Sequence, residues 1–117
     1  MDKYETIKKI FENHSNPERA ISMSKYMKDQ FSFYGIAAAD RKNLYKDFLK
    51  NEKKQEKLDW AFLDQCYADD HREFQYLAYE YLLAMKKQLS FEDISLVKDL
   101  VMKKSWWDTV DFLAQGL

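Results

Sequence analysis

Apolar positions along the chain recur every three or four residues, the period of an amphipathic helix rather than the period of two expected of a strand. Seven helical segments follow from that spacing. The first carries Tyr4, Ile7, Ile10, Phe11 and His14. The second opens at Asn16-Pro17, an N-capping residue followed by the proline favoured at the first helical position, and its stripe is Ala20, Met23 and Met27. It is expected to end near Gln30, ahead of a loop from Phe31 to Ile36 in which Gly35 marks a turn. A third helix is expected from Asp40 to about Lys50, with Leu44, Tyr45, Phe48 and Leu49 inward, followed by a charged linker from Asn51 to Lys57. The fourth carries Trp60, Leu63 and Tyr67. The fifth is the clearest: Phe74, Leu77, Ala78, Tyr81, Leu82 and Met85 form one unbroken stripe. Ser90 begins the sixth, with Asp93 placed to complete a capping box and Ile94, Val97, Leu100 and Val101 expected inward. The seventh starts at Ser105 and is still running at Leu117.

Composition agrees with an all-α chain. Among 117 residues there are two glycines and one proline, too few for the turns of an all-β domain. Helices joined by short loops suggest antiparallel pairs stacked as an α-solenoid, with a closed bundle as the alternative. No exact internal repeat is present. The run Phe112-Leu113-Ala114-Gln115-Gly116-Leu117 lacks the polar layer that caps a solenoid. Residues 1–117 are therefore expected to be one portion of a domain truncated at its C-terminus, or to self-associate through that exposed face.

The single cysteine, Cys66, excludes an internal disulfide and a cysteine-based zinc cage, and no metal is expected. There is no apolar run long enough for a membrane span and no signal-peptide pattern, so a cytoplasmic location is expected. Net charge is −1, but it is unevenly spread. Residues 1–58 hold 13 basic against 9 acidic side chains, and residues 59–117 hold 6 against 11. The basic excess centres on Lys42, Lys46, Lys50, Lys53, Lys54 and Lys57. It reads either as a solvated helix face with a lysine-rich loop or as an anion-binding surface.

The segment Ser105-Trp106-Trp107-Asp108-Thr109-Val110-Asp111 is the most unusual. Ser105 and Asp108 are spaced as a capping box, and Trp106, Val110, Leu113 and Leu117 form the apolar stripe. Trp107 and Asp111 stand four residues apart on another face, where neither packing nor capping requires them. They read as an indole beside a functional carboxylate, or as a partly exposed pair or an inter-repeat contact. Tyr26 lies on the flank of its helix with Arg19, Ser22 and Gln30, a boundary tyrosine or a site residue. His14 and His71 have no metal-ligand spacing, and Arg72 is placed to brace an inter-helix contact.

Several strings together resemble the DNA alkylation-repair family of HEAT-like glycosylases, the AlkD-like proteins. They are Asn16-Pro17-Glu18-Arg19-Ala20, Met23-Ser24-Lys25-Tyr26-Met27-Lys28, Phe31-Ser32-Phe33-Tyr34-Gly35-Ile36, Ala39-Asp40-Arg41-Lys42, Arg72-Glu73-Phe74-Gln75 and Lys104-Ser105-Trp106-Trp107-Asp108-Thr109-Val110-Asp111. The resemblance implies a right-handed α-solenoid of HEAT-like antiparallel helix pairs with a basic concave face for double-stranded DNA. It implies hydrolysis of the N-glycosidic bond of positively charged N3- or N7-alkylated purines, with no cofactor. By position, Asp111 matches the family's catalytic carboxylate, Trp107 its aromatic partner, and Tyr26 an aromatic lining the same cleft. Ser32 stands where the family commonly has proline. A further active-site tryptophan and a DNA-contacting arginine would lie beyond Leu117, so the chain corresponds to the N-terminal portion.

The chemistry suits these residue types. An alkylated purine already carries positive charge and leaves without a strong acid. The sugar becomes oxocarbenium-like, so a fixed carboxylate such as Asp111 stabilises it and can orient water. Indole and phenol faces add cation–π attraction of about 0.5–2 kcal/mol each. Phosphate contacts are expected from some of Lys25, Lys28, Arg41, Lys42 and Lys46. The alternatives are a non-catalytic HEAT-like module that binds DNA or protein, and a plain helical domain that dimerises.

Overall fold

The computed structural model describes residues 2–104. They form seven α-helices: α1 (Lys3–Asn13), α2 (Pro17–Tyr26), α3 (Ala38–Leu44), α4 (Lys46–Glu52), α5 (Trp60–Ala68), α6 (Arg72–Ala84) and α7 (Phe91–Met102), with a 3-10 turn at Lys86–Gln88. Among the described residues there is no strand, only one isolated bridge between Ser32 and His71. The chain is all-α, as its periodicity implies.

Helix starts follow the local chemistry. Asp2, Asn16 and Asp59 each accept a hydrogen bond from a backbone N–H in the first turn of α1, α2 and α5, at 2.8, 3.1 and 3.0 Å. Ser90 and Asp93 make both bonds of the expected capping box. Helix α2 stops at Tyr26, four residues before the expected end. Lys28 and Asp29 adopt left-handed backbone, and their N–H groups reach back to the carbonyls of Lys25 at 3.0 Å and Ser24 at 2.7 Å. That is a Schellman stop, made with lysine where glycine is usual.

The core centres on α6, which packs chiefly on α5 and α4. Phe74, Leu77, Ala78, Tyr81, Leu82 and Met85 are all buried, as their spacing implies. Arg72, Glu73, Gln75 and Tyr79 are buried as well, so α6 is enclosed on more than one face. Phe11 joins α1 to this core, with ring centroids 5.1 Å from Phe74, 5.7 Å from Tyr34 and 6.2 Å from Tyr45. Burial pushes the Cys66 thiol up, which keeps it a neutral core group.

Two expectations are corrected. The single third helix is two, because the backbone at Tyr45 leaves helical geometry. The Tyr45 ring is buried, and its hydroxyl bonds Glu80 and accepts from Arg41 Nε at 3.0 Å. Tertiary demand at this one residue overrides the local helical pattern. Helix α4 also runs to Glu52, whose buried carboxylate meets Lys3 Nζ at 2.7 Å. In α7, Val97 and Leu100 are buried, but Ile94 is 54% exposed and Phe91 is 91% exposed. The core meets α7 on the side of Val97 and Leu100, so the predicted stripe is rotated off its buried face. The predicted helix from Ser105 lies outside the described residues.

Candidate functional site

Two charged residues at the start of α6 organise the surroundings of the site. Glu73 is fully buried, and its carboxylate accepts from the backbone N–H groups of Tyr34 at 3.0 Å, Gly35 at 3.1 Å and Ile36 at 3.2 Å. These amides belong to a loop with no ladder of its own, so a buried acceptor satisfies them. Asn16 N–H donates to the Tyr34 carbonyl at 2.8 Å. Gly35, at φ 90°, lies so close to α2 that an added Cβ would stand 2.1 Å from the Asn16 carbonyl oxygen. The loop thus clamps the start of α2 against the start of α6. His71 stacks on Tyr34 at 3.8 Å, and its Nδ1 lies 2.9 Å from Asp69.

Arg72 is also fully buried. Its guanidinium lies 3.9 Å from the Phe31 ring centroid, and it donates to the Lys104 carbonyl at 2.6 Å. Lys104 Nζ donates in turn to the Asp69 carbonyl at 2.7 Å. The last described residue is therefore tied at both backbone and side chain to the α5–α6 corner. A cleft of about 580 Å³ opens there, lined by Ser24, Asp29, Gln30, Phe31, Ser32, Asp70, Lys103 and Lys104. The end of α2 supplies one wall and the end of α7 the other.

Tyr26 stands in the last turn of α2 and is 87% exposed, on the flank its spacing implied. The next residue, Met27, is buried and fixes the helix end. Lys25 and Lys28 flank Tyr26 and are exposed. Trp107 and Asp111 lie outside the described residues. Lys42 and Lys46 are exposed but belong elsewhere: they line a groove between α3–α4 and α6. Arg41 corrects the expected phosphate set. It is buried, its guanidinium 4.4 Å from the Tyr76 ring centroid and 3.8 Å from Glu80. Its charge is committed to the core, because a buried cation needs partners.

Sequence reasoning treated Glu73 as a helix-start residue favoured by the dipole and missed its larger task. The available signal was the loop itself: a buried aromatic stretch with a glycine turn must find an acceptor for its amides. Among the described residues, no group of three or more His, Cys, Asp or Glu side chains could hold a metal ion. No helix among them is long and apolar enough to cross a membrane.

The sequence model of one protein family, the DNA alkylation repair enzymes, matches residues 7–117. A solved structure, the "Predicted DNA alkylation repair enzyme from Enterococcus faecalis", is similar with a TM-score of 0.77 and 40% identity. The match covers 84% of this chain and 46% of that one, so the chain spans about half the length of that protein. No curated protein matches.

Proposed function

The chain belongs to the DNA alkylation repair enzyme family, and we propose on that premise that it carries the N-terminal part of a DNA glycosylase for positively charged N3- and N7-alkylated purines. The observation that carries the proposal is the position of Tyr26. A tyrosine exposed over 87% of its surface ends α2 beside a cleft whose opposite wall, Lys103 and Lys104, leads directly into Ser105–Asp111.

In this reading the Asp111 carboxylate stabilises the sugar cation as the glycosidic bond breaks and orients the water that adds to the anomeric carbon. The leaving purine takes back the bonding electrons and departs neutral, so no strong general acid is needed. Tyr26 and Trp107 offer aromatic faces to the cationic base and sugar. Lys25 and Lys28, exposed on either side of Tyr26, suit the flanking phosphates.

The test is base release from methylated duplex DNA by the intact protein, read by chromatography of N3-methyladenine and N7-methylguanine. Asp111→Asn is expected to slow release by about 100-fold or more, the scale of losing a transition-state electrostatic partner, with DNA affinity nearly unchanged. Equal rates for variant and parent would remove Asp111 from the chemistry. Tight binding without any release would favour a non-catalytic binding module instead.

A further inference from the structure

Lys42, Lys46, Lys50 and Lys53 all line one groove of about 910 Å³ between α3–α4 and the C-terminal half of α6. None of its lining residues belongs to the cleft beside Tyr26. Steps of four, four and three residues place the lysines on one helical stripe about 16 Å long. All four are exposed, and among the described residues none has an acidic partner. Glu80 is the one acid in the lining, and it is already engaged by Arg41 and the Tyr45 hydroxyl. The rest of the lining includes Ala39, Leu49, Leu83 and Ala84, which repel no anion.

Four uncompensated ammonium groups in a row suit a ligand whose negative charge repeats along its length. A DNA strand carries one phosphate per about 3.4 Å of helix axis, so the stripe faces about five of them. A membrane surface is a poorer match. Binding there needs large apolar side chains beside the lysines, and the exposed ones, Ile21, Phe91, Ile94, Leu96 and Met102, lie outside this groove.

We propose that the α3–α4 lysine groove is a second DNA contact, a track for the phosphate backbone of undamaged duplex apart from the cleft beside Tyr26. The proposal rests on the glycosylase reading for the choice of DNA as the polyanion. It gives the protein a sequence-independent hold on DNA that needs no lesion.

The test compares the intact protein with a variant carrying Lys42→Gln, Lys46→Gln, Lys50→Gln and Lys53→Gln. Affinity for a short undamaged duplex is read by fluorescence anisotropy across a salt series. Each lost phosphate contact removes about 0.9 from the slope of log affinity against log salt, so the variant's slope is expected to be shallower by about 3–4. The corresponding Lys→Arg variant is expected to keep the parent slope, which separates lost charge from lost fold. An unchanged slope in the glutamine variant overturns the proposal. So does lysine-dependent binding to phosphatidylserine vesicles without a slope change on DNA. Absence of base release together with a reduced slope would refute the glycosylase reading and leave the DNA track standing.

Discussion

Glu73 offers the sharpest test of how this fold is held. Its two carboxylate oxygens divide three donors: one takes the Tyr34 amide, and the other takes those of Gly35 and Ile36. Hydrogen bonds to a charged group contribute about 1.5–3 kcal/mol each, and an orphaned buried donor costs about 1–3 kcal/mol. Glu73→Ala orphans all three, and partial relaxation of the loop brings the expected loss to about 3–5 kcal/mol. Domain stabilities run at about 5–15 kcal/mol, so that variant stands close to unfolding. Glu73→Gln is the better probe. Its carbonyl oxygen can serve Gly35 and Ile36, but its NH₂ group then points at the Tyr34 amide, donor against donor. The expected loss is about 1–3 kcal/mol. In urea, with a slope of about 1–3 kcal/mol per molar, the midpoint falls by about 1 M. Amide exchange gives a residue-level check: Tyr34 is expected to lose protection before Gly35 and Ile36. A glutamine variant with the parent midpoint and all three amides still protected would refute the account.

Two further outcomes follow from the geometry. Lys28 holds a left-handed conformation at φ 54° where the helix stop favours glycine, so Lys28→Gly is expected to stabilise the fold by about 0.5–1 kcal/mol; a lowered melting temperature would contradict the Schellman assignment. Lys3 ties α1 to Asp59 at 2.9 Å and to Glu52 at 2.7 Å. Burial works against both charges, yet the mutual hydrogen bonds outweigh it, raising the Lys3 pKa and lowering that of Asp59. The Asp59 contribution is present above the ordinary carboxylate pKa of about 4 and is lost as pH falls through its lower folded value. The Lys3 contribution is present below about 10.4 and is lost only as pH rises through its higher folded value. Urea midpoints should place Lys3→Met about 1–2 kcal/mol below the parent from pH 5 to 9, with the gap closing in acid; a gap that widens in acid would be the wrong sign.

The parts of the fold that were legible in the sequence are those governed by local rules. Asn16-Pro17 and Ser90–Asp93 announce their helix starts through capping chemistry, and the α6 stripe announces the core through its period. What escaped was set by distant partners. Nothing near Tyr45 in sequence indicates that Glu80, in α6, will engage its hydroxyl and that the helix will break there. Arg41 read as a free cation for the same reason, since Glu80 and Tyr76 reach it from α6. Ile94 fits the apolar period of α7 but not the side the core occupies. At the candidate site, the exposed flank of Tyr26 was readable from its offset against Ala20, Met23 and Met27. The bracing by Glu73 was not, because its three donors lie in a loop without periodicity.

Arg72 and Glu73 are consecutive, buried, and turned to different segments. Glu73 holds the amides of residues 34–36, and through the Tyr34 carbonyl and Gly35 that loop is fixed against the start of α2. Arg72 holds the Phe31 ring and the carbonyl of Lys104. One helix start therefore governs both walls of the cleft, the wall that follows α2 and the wall that ends α7. Two buried charges are a costly way to join walls that apolar residues could join. They do something apolar packing does less well, since hydrogen bonds to named carbonyls and amides fix register as well as proximity. A site that must hold an aromatic face and a carboxylate around one sugar needs that register, because displacement by about 1 Å can cost about 100-fold in rate. On this argument the Arg72-Glu73 pair acts through positioning: it sets the separation between Tyr26 and the segment that begins at Ser105, and touches no substrate itself.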